Sequence, residues 1–395
     1  MRRRVSILGV TGSIGAATID VIEQARADGA DIEVEAITAG RNLEALAGIV
    51  EKLKPRFVAL ADASMLTAAR ARLAAYNVEI GAGANALIDA AARPAEWVMS
   101  AIVGAAGMAP TLEAVRRGAH VALANKESLV CAGPLMIAAA RTSGARLIPV
   151  DSEHNAIFQV LGDVSEVERI TITASGGPFL RASLETMEAA TPEEACKHPR
   201  WNMGPKISVD SATLFNKGLE VIEAVHLFGV EPARIDVLVH PQSVIHSMVA
   251  YHDGSTLAQL GEPDMRVPIS YALAWPARAA LAAPRLDLAA RGVLTFEAPD
   301  PVRFPALRLA REALTAGAGA TAVLNAANEI AVESFLQRRI GFLDIVRIVE
   351  DVLTSFAANG LGEIAKSPSS FDEVYAADAA GRRAAAAAAL RLRAA

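Results

Sequence analysis

Apolar residues near the N-terminus come in short runs, each followed by a longer stretch where they recur every three or four positions. Val5–Leu8 is the first run, and Ile14–Ala27 then spaces Ile14, Ala17, Val21 and Ile22 as one helix face. Ile32–Thr38 reads as a second strand, Leu43–Leu53 as a helix and Phe57–Leu60 as a third strand. Trp97–Val103, His120–Ala124 and Leu147–Val150 are further apolar runs separated by helical segments. Such alternation predicts a parallel sheet covered on both faces, with functional groups at the carboxyl ends of its strands. Gly9, Asn125-Lys126-Glu127 and Asp151-Ser152-Glu153 stand at those ends.

The pattern changes near residue 150. Ile170–Ala174, Val237–His240, Ser243–Tyr251 and Ser255–Gln259 read as strands, with turns at Pro241 and Asp253-Gly254. The Pro-, Ala- and Arg-rich stretch from Trp275 to Pro305 reads as a linker. From Ala306 onward helical spacing dominates, in Ala322–Leu336 and Phe342–Phe356, and the Ala/Arg tail Ala376–Ala395 reads as a terminal helix. The expected fold is α/β. It has an N-terminal Rossmann-like parallel sheet (1–150), a middle α+β catalytic domain (151–275), a linker (276–305) and a C-terminal helical bundle (306–395).

Composition narrows the class. A chain of 395 residues is too long for one ordinary core, and 52% hydrophobic with 21% charged residues suits a soluble globular enzyme. The net charge of −6 with no long basic run argues against nucleic-acid binding. Cys131 and Cys196 are the only cysteines, which excludes a disulfide framework and zinc spacing and fits a reducing, cytoplasmic setting. The basic start Met1-Arg-Arg-Arg4 precedes an apolar run broken at once by Gly9, Thr11, Gly12 and Ser13, so it reads as a buried strand and not a signal peptide. Gly104, Gly107 and Pro110 interrupt the apolar stretch from Trp97 to Leu112, and no membrane segment is expected.

Candidate chemistry sits in four places. Gly9-x-x-Gly12-x-x-Gly15 follows a strand and opens a helix, where backbone amides and the helix N-terminus can take a pyrophosphate. The second strand ends Thr38-Ala39-Gly40-Arg41-Asn42, with an arginine and no acid, which suits the 2′-phosphate of NADP. Asp151 and Glu153, two apart, share a side if the backbone there is extended, and carboxylate oxygens favour Mg²⁺ or Mn²⁺. Asn216 and Glu220, four apart, share a helix face beside Lys217, and Ser175-Gly176-Gly177 after a strand is built like an anion nest. Lys197-His198-Pro-Arg200-Trp201 with Met203-Gly204 reads as a lid that could cover a substrate.

These residues fall in longer blocks. They are Gly12-Ser-Ile-Gly15, Ala124-Asn-Lys-Glu-Ser128, Val150-Asp-Ser-Glu-His-Asn155, Ser175-Gly-Gly-Pro-Phe179 and His198-Pro-Arg-Trp201. Lys206-Ile-Ser-Val-Asp-Ser-Ala-Thr213, Asn216-Lys-Gly-Leu-Glu220, His240-Pro-Gln-Ser243 and Leu324-Asn-Ala-Ala-Asn-Glu329 complete the set. Over nearly its whole length the chain resembles the 1-deoxy-D-xylulose 5-phosphate reductoisomerase family. The resemblance implies that Asp151, Glu153 and Glu220 hold Mg²⁺ or Mn²⁺, with Co²⁺ a third candidate. It implies that Ser175, Ser211, Asn216, Lys217 and His198 grip the substrate's phosphate, that Lys126 and Ser152 meet its hydroxyls, and that Trp201 covers it. It further implies that Thr11, Gly12, Ser13, Ile14, Gly40, Arg41, Asn42, Asn125, Glu127 and Gly204 contact NADPH. Lys126, Asp151, Glu153 and Glu220 would carry the chemistry, in a homodimer joined through the middle sheet. The competing readings are a plain NADP-dependent dehydrogenase without rearrangement and an NADP-sensing regulator without chemistry.

Overall fold

The computed structural model describes residues 2–201, 203–359 and 367–394. Met1 and Ala395, at the ends of the basic start and of the expected tail helix, lie outside the described residues. In chain order the elements begin with β1 (Arg2–Leu8), α1 (Ser13–Ala27), β2 (Asp31–Ala39), α2 (Leu43–Leu53), β3 (Phe57–Leu60), α3 (Leu66–Arg72), β4 (Glu79–Ala82) and α4 (Ala84–Ala92). Next come β5 (Trp97–Ser100), α5 (Met108–Arg116), β6 (His120–Leu123), α6 (Glu127–Ser143), β7 (Arg146–Pro149) and α7 (Ser152–Val160). Then follow β8 (Val167–Ala174), α8 (Leu184–Glu188), α9 (Pro192–Ala195), α10 (Pro205–Thr213), α11 (Phe215–Phe228), β9 (Ile235–Val239), β10 (Ile245–Tyr251) and β11 (Thr256–Leu260). The chain closes with α12 (Arg266–Ala274), α13 (Leu288–Arg291), α14 (Ala306–Ala316), α15 (Ala318–Leu336), α16 (Asp344–Asn359) and α17 (Phe371–Ala394).

Two compact units result. The first takes the chain up to Ser128, then Met136–Asn155 and Asp264–Pro284; the second takes Leu129–Leu135, Ala156–Pro263 and the chain from Arg285 on.

The first unit is built on a seven-stranded sheet in the order β4-β3-β2-β1-β5-β6-β7, with every pair parallel. Strands β3 and β5 are buried at all four positions, as a sheet covered on both faces requires. Strand order reverses at β1, which lies between β2 and β5, so the crevice for a ligand opens past Leu8. Strand β4 escapes sequence reading because it is four residues long, half-exposed and interrupted by Gly81. Helix α12 belongs to this unit, where the Ala272 carbonyl accepts from Trp97 Nε1 at 3.0 Å.

The second unit holds a four-stranded sheet in the order β11-β10-β8-β9, antiparallel except for β8 with β9. Within the stretch read as a linker, Glu297 bridges to Val239 at the end of β9, and the His240 ring stacks on Phe296. Helix α15 is apolar nearly all round and almost wholly buried, which makes it the axis of the helical part. The alanine-rich α17 lies against α15. A Cβ on Gly381 would stand 3.0 Å from the Ala326 methyl, so small residues are what allow the two helices to approach. Arg382 then reaches Glu329 on α15 and Asp378 on its own helix, which accounts for an arginine among the tail's alanines.

Candidate functional site

The glycine loop follows β1 as the spacing predicts. Gly9 has φ +93°, and a Cβ there would lie 2.6 Å from the Ala101 carbonyl oxygen, just past β5. Gly15 is tighter still, 2.3 Å from the Val10 carbonyl oxygen. These two glycines shape the turn. At Gly12 a Cβ would meet nothing nearer than 3.5 Å, so space remains over the loop. Helix α1 begins without a side-chain cap and without an acid in its first turn, which leaves its N-terminus fit for an anion. At the next strand end, Asn42 caps α2 by accepting from the Ala45 amide at 3.1 Å. Arg41 is 81% exposed and pairs with Asp62 at 2.8 Å. The donors of Ser64, followed by Arg41, hold the Asp62 carboxyl below the usual carboxylate range.

At the end of β6, Asn125 is a buried hub. Its amide donates to the carbonyls of Ile102 and Gly104 and to Glu127 Oε2, and its oxygen accepts from the Ser128 amide. Lys126 follows, buried, with Nζ 3.1 Å from Asp151 Oδ2. Asp151 ends β7 differently from the extended pairing expected of it. Its Oδ1 accepts from the amides of Glu153 and His154, so it opens α7, and Glu153 lies in that helix's first turn. The two carboxylates are therefore arranged by a helix start and not by strand alternation. Ser152 Oγ donates to Glu153 Oε2.

The second unit holds the remaining candidates. After β8, Gly176 and Gly177 take φ +83° and +65°, which turns the chain, and the Gly177 amide donates to Ser175 Oγ at 3.2 Å. Ser175 Oγ lies 2.8 Å from His198 Nε2. His198 Nδ1 accepts from the amides of Arg200 and Trp201, so the ring proton resides on Nε2 and is donated to Ser175. The lid residues are thus pinned to the nest by one imidazole. A Cβ on Gly177 would stand 2.8 Å from the Ser211 carbonyl oxygen, which places the end of α10 directly on the nest. Cys196 lies beside this segment, and burial pushes its thiol up, away from nucleophilic character.

Helix α10 stops because Leu214 turns left-handed, with φ +62°, and α11 starts at once. Asn216 donates to Glu220, as the four-residue spacing predicts, and Lys217, three residues before it, donates from 2.7 Å. Glu220 is fully buried and Lys217 nearly so. A buried carboxylate with a cation and an amide beside it is held in one orientation. Among these acids the donor atoms are hard oxygens with no thiol, which fits Mg²⁺ or Mn²⁺ and not a soft metal. Sequence reading assigned no role to Asp210 or Asn328, which are hydrogen-bonded at 2.8 Å inside the second unit. The signal was present: Asp210 interrupts a buried helix face and stands four residues after Lys206, with which it forms an ion pair.

Comparison with known proteins places these features. A family model described as 1-deoxy-D-xylulose 5-phosphate reductoisomerase matches residues 5–133, and models of that family's C-terminal domains match 147–228 and 260–384. The reductoisomerase of Caulobacter vibrioides is 57% identical over 93% of this chain and 91% of its own length. That of Rhodospirillum centenum is 55% identical over 96% and 93%. Among solved structures, the Zymomonas mobilis reductoisomerase in complex with NADPH superposes with TM-score 0.90 at 50% identity, covering 98% of this chain and 99% of that one. A reductoisomerase in complex with NADPH, fosmidomycin and magnesium gives TM-score 0.94 at 40% identity, covering 98% of both. With matched segments running from the first strand to the last helix, the chain belongs to the 1-deoxy-D-xylulose 5-phosphate reductoisomerase family.

Proposed function

We propose that the chain converts 1-deoxy-D-xylulose 5-phosphate to 2-C-methyl-D-erythritol 4-phosphate with NADPH and a divalent cation, a step of non-mevalonate isoprenoid synthesis. The observation that carries this reading is the pinned phosphate nest, with Ser175, His198 and the Ser211 backbone assembled around Gly176-Gly177. An NADP-sensing regulator without chemistry has no use for it.

The residues divide the work. Ser175, Ser211, Asn216, Lys217 and His198 hold the phosphate, far from the reacting carbons, so that binding energy there orients the substrate. Lys126 and Ser152 meet the sugar hydroxyls, and Trp201 covers the substrate and excludes water. Thr11, Gly12, Ser13 and Ile14 take the dinucleotide's pyrophosphate at the start of α1, and Gly40, Arg41 and Asn42 take the ribose 2′-phosphate. Asn125, Glu127 and Gly204 complete the NADPH contacts. Asp151, Glu153 and Glu220 hold Mg²⁺ or Mn²⁺. When bound, that cation supplies Lewis-acid polarisation of the carbonyl, and NADPH supplies hydride.

The chain works as a homodimer in the cytoplasm. Support for the dimer comes from β11, an edge strand with Leu257 49% exposed. Among the described residues no helix is long and apolar enough to cross a membrane, and no disulfide forms. Sedimentation at micromolar concentration reads the oligomeric state; a monomer rejects that part.

The deciding experiment follows NADPH oxidation and product mass with purified protein. EDTA should abolish turnover and Mn²⁺ should restore it, and Glu220→Gln should lose about a hundredfold or more in kcat while keeping NADPH affinity. Full activity in chelator, or reduction without skeletal rearrangement, would return the chain to the dehydrogenase reading.

A further inference from the structure

The block Leu324–Glu329 lies on α15, and nothing in the proposed site uses it. Its two asparagines, Asn325 and Asn328, are fully buried. Asn325 donates along its own helix to Glu329 at 3.0 Å. Asn328 instead reaches another element: its Nδ2 donates to Asp210 Oδ1 at 2.8 Å. The other oxygen of Asp210 lies 2.6 Å from Lys206 Nζ. Asp210 is itself buried and stands immediately before Ser211, in the last turn of α10.

That turn is confined from two sides. On one, the Ser211 carbonyl faces Gly177 so closely that only a residue without a side chain fits. On the other, Asp210 is tied to α15. Asn328 is retained at a cost, because its own Oδ1 has no hydrogen-bond partner among the described residues and a buried unmet acceptor is unfavourable. Packing alone would favour an apolar side chain of the same shape. The amide is needed on its nitrogen side, where it meets a buried carboxylate.

We propose that Asn328 is a positioning residue for phosphate recognition: through Asp210 it fixes the turn of α10 that sets Ser211 on the Ser175-Gly176-Gly177 nest. The proposal rests on the reading of Ser211 as a phosphate ligand. It treats α15 as a rigid post and Asp210 as the peg, with Lys206 neutralising the carboxylate so that it can stay buried.

The test uses the full chain with NADPH and Mg²⁺. Asn328→Ala should raise KM for 1-deoxy-D-xylulose 5-phosphate, and Kd for inorganic phosphate measured by titration calorimetry, each about tenfold. It should leave kcat within about threefold and the NADPH KM within about twofold. Because Asn328 acts through Asp210, the double variant with Asp210→Ala should be no worse than the weaker of the two single variants. Where Asn328→Ala fails to fold by circular dichroism, Asn328→Ser is read in its place with the same KM rise expected. Unchanged substrate KM and phosphate Kd in a folded variant would overturn the proposal. So would equal losses toward substrate and NADPH, or fully additive effects in the double variant. If the parent chain itself shows no turnover, the functional reading fails, and the phosphate Kd of variant against parent still decides the role of Asn328.

Discussion

Lys126 Nζ stands 3.1 Å from Asp151 Oδ2, joining the turn after β6 to the end of β7. Both groups are largely buried, with side chains 9% and 13% exposed. An ammonium this near a carboxylate competes with any cation that carboxylate would bind. At about 4 Å and an effective dielectric near 20, the repulsion between two unit positive charges is roughly 4 kcal/mol.

Lys126→Met should therefore separate binding from chemistry. Mg²⁺ affinity, measured by calorimetry without substrate, should stay the same or rise. Turnover should fall by about a hundredfold, because the residue that meets the sugar hydroxyls is gone. A parallel loss of Mg²⁺ affinity and turnover would show that Lys126 serves only to orient Asp151.

The two later glycines of the first loop make opposite predictions. Gly15→Ala puts a methyl 2.3 Å from the Val10 carbonyl oxygen, so the βα turn must shift, with a loss of about 1–3 kcal/mol in stability. Gly12→Ala meets nothing nearer than 3.5 Å within the protein. Its melting temperature should stay near that of the parent, while NADPH affinity drops about tenfold if the pyrophosphate lies against that backbone. Thermal melts and fluorescence titration with NADPH check both; unchanged affinity in Gly12→Ala would move the dinucleotide off the loop.

Arg41 tests the choice of NADP. Among the described residues its side chain is held by Asp62 alone, on the surface, where an ion pair contributes little. Arg41→Ala should leave stability unchanged and raise the NADPH KM about tenfold, the range of one charge-assisted contact to phosphate. NADH use should change less than about twofold by the same reasoning, since it lacks the 2′-phosphate. Equal effects on both cofactors would assign Arg41 to the surface alone.

How far these features could be read in advance depended on whether they were local. The start of α1, the cap of α2 by Asn42 and the Asn216–Glu220 helix face all rest on neighbours within four residues, and periodicity and capping chemistry find such neighbours. The link from Asn328 to Asp210 spans 118 positions, and no spacing rule reaches that far. Asp151 was misread for a different reason. Strand alternation does not reach Asp151 and Glu153, because β7 ends at Pro149 and the Asp151 carboxylate already caps a helix. Gly177 illustrates the same limit. The glycine pair signals a turn, but only the fold reveals that Ser211 presses against it.

The last prediction concerns His226, on the same helix as Glu220 but away from the chemistry. Its Nε2 is buried with no hydrogen-bond partner among the described residues. It packs so closely on Gly133 of α6 that a Cβ there would fall 2.2 Å from the ring. Burial pushes the imidazole below its ordinary value of 6.5, since nothing repays the desolvation of a charged ring. Between that lowered value and 6.5 the unfolded chain binds a proton that the folded chain refuses, so stability rises with pH across this window. The contribution is fully present above 6.5 and is lost as pH falls through the folded-state value. Urea midpoints measured from pH 8 down to pH 5 should therefore decline in the parent, and decline less steeply in His226→Leu, whose uncharged side chain has nothing to protonate. Identical slopes in the two proteins would place the acid sensitivity of this unit elsewhere.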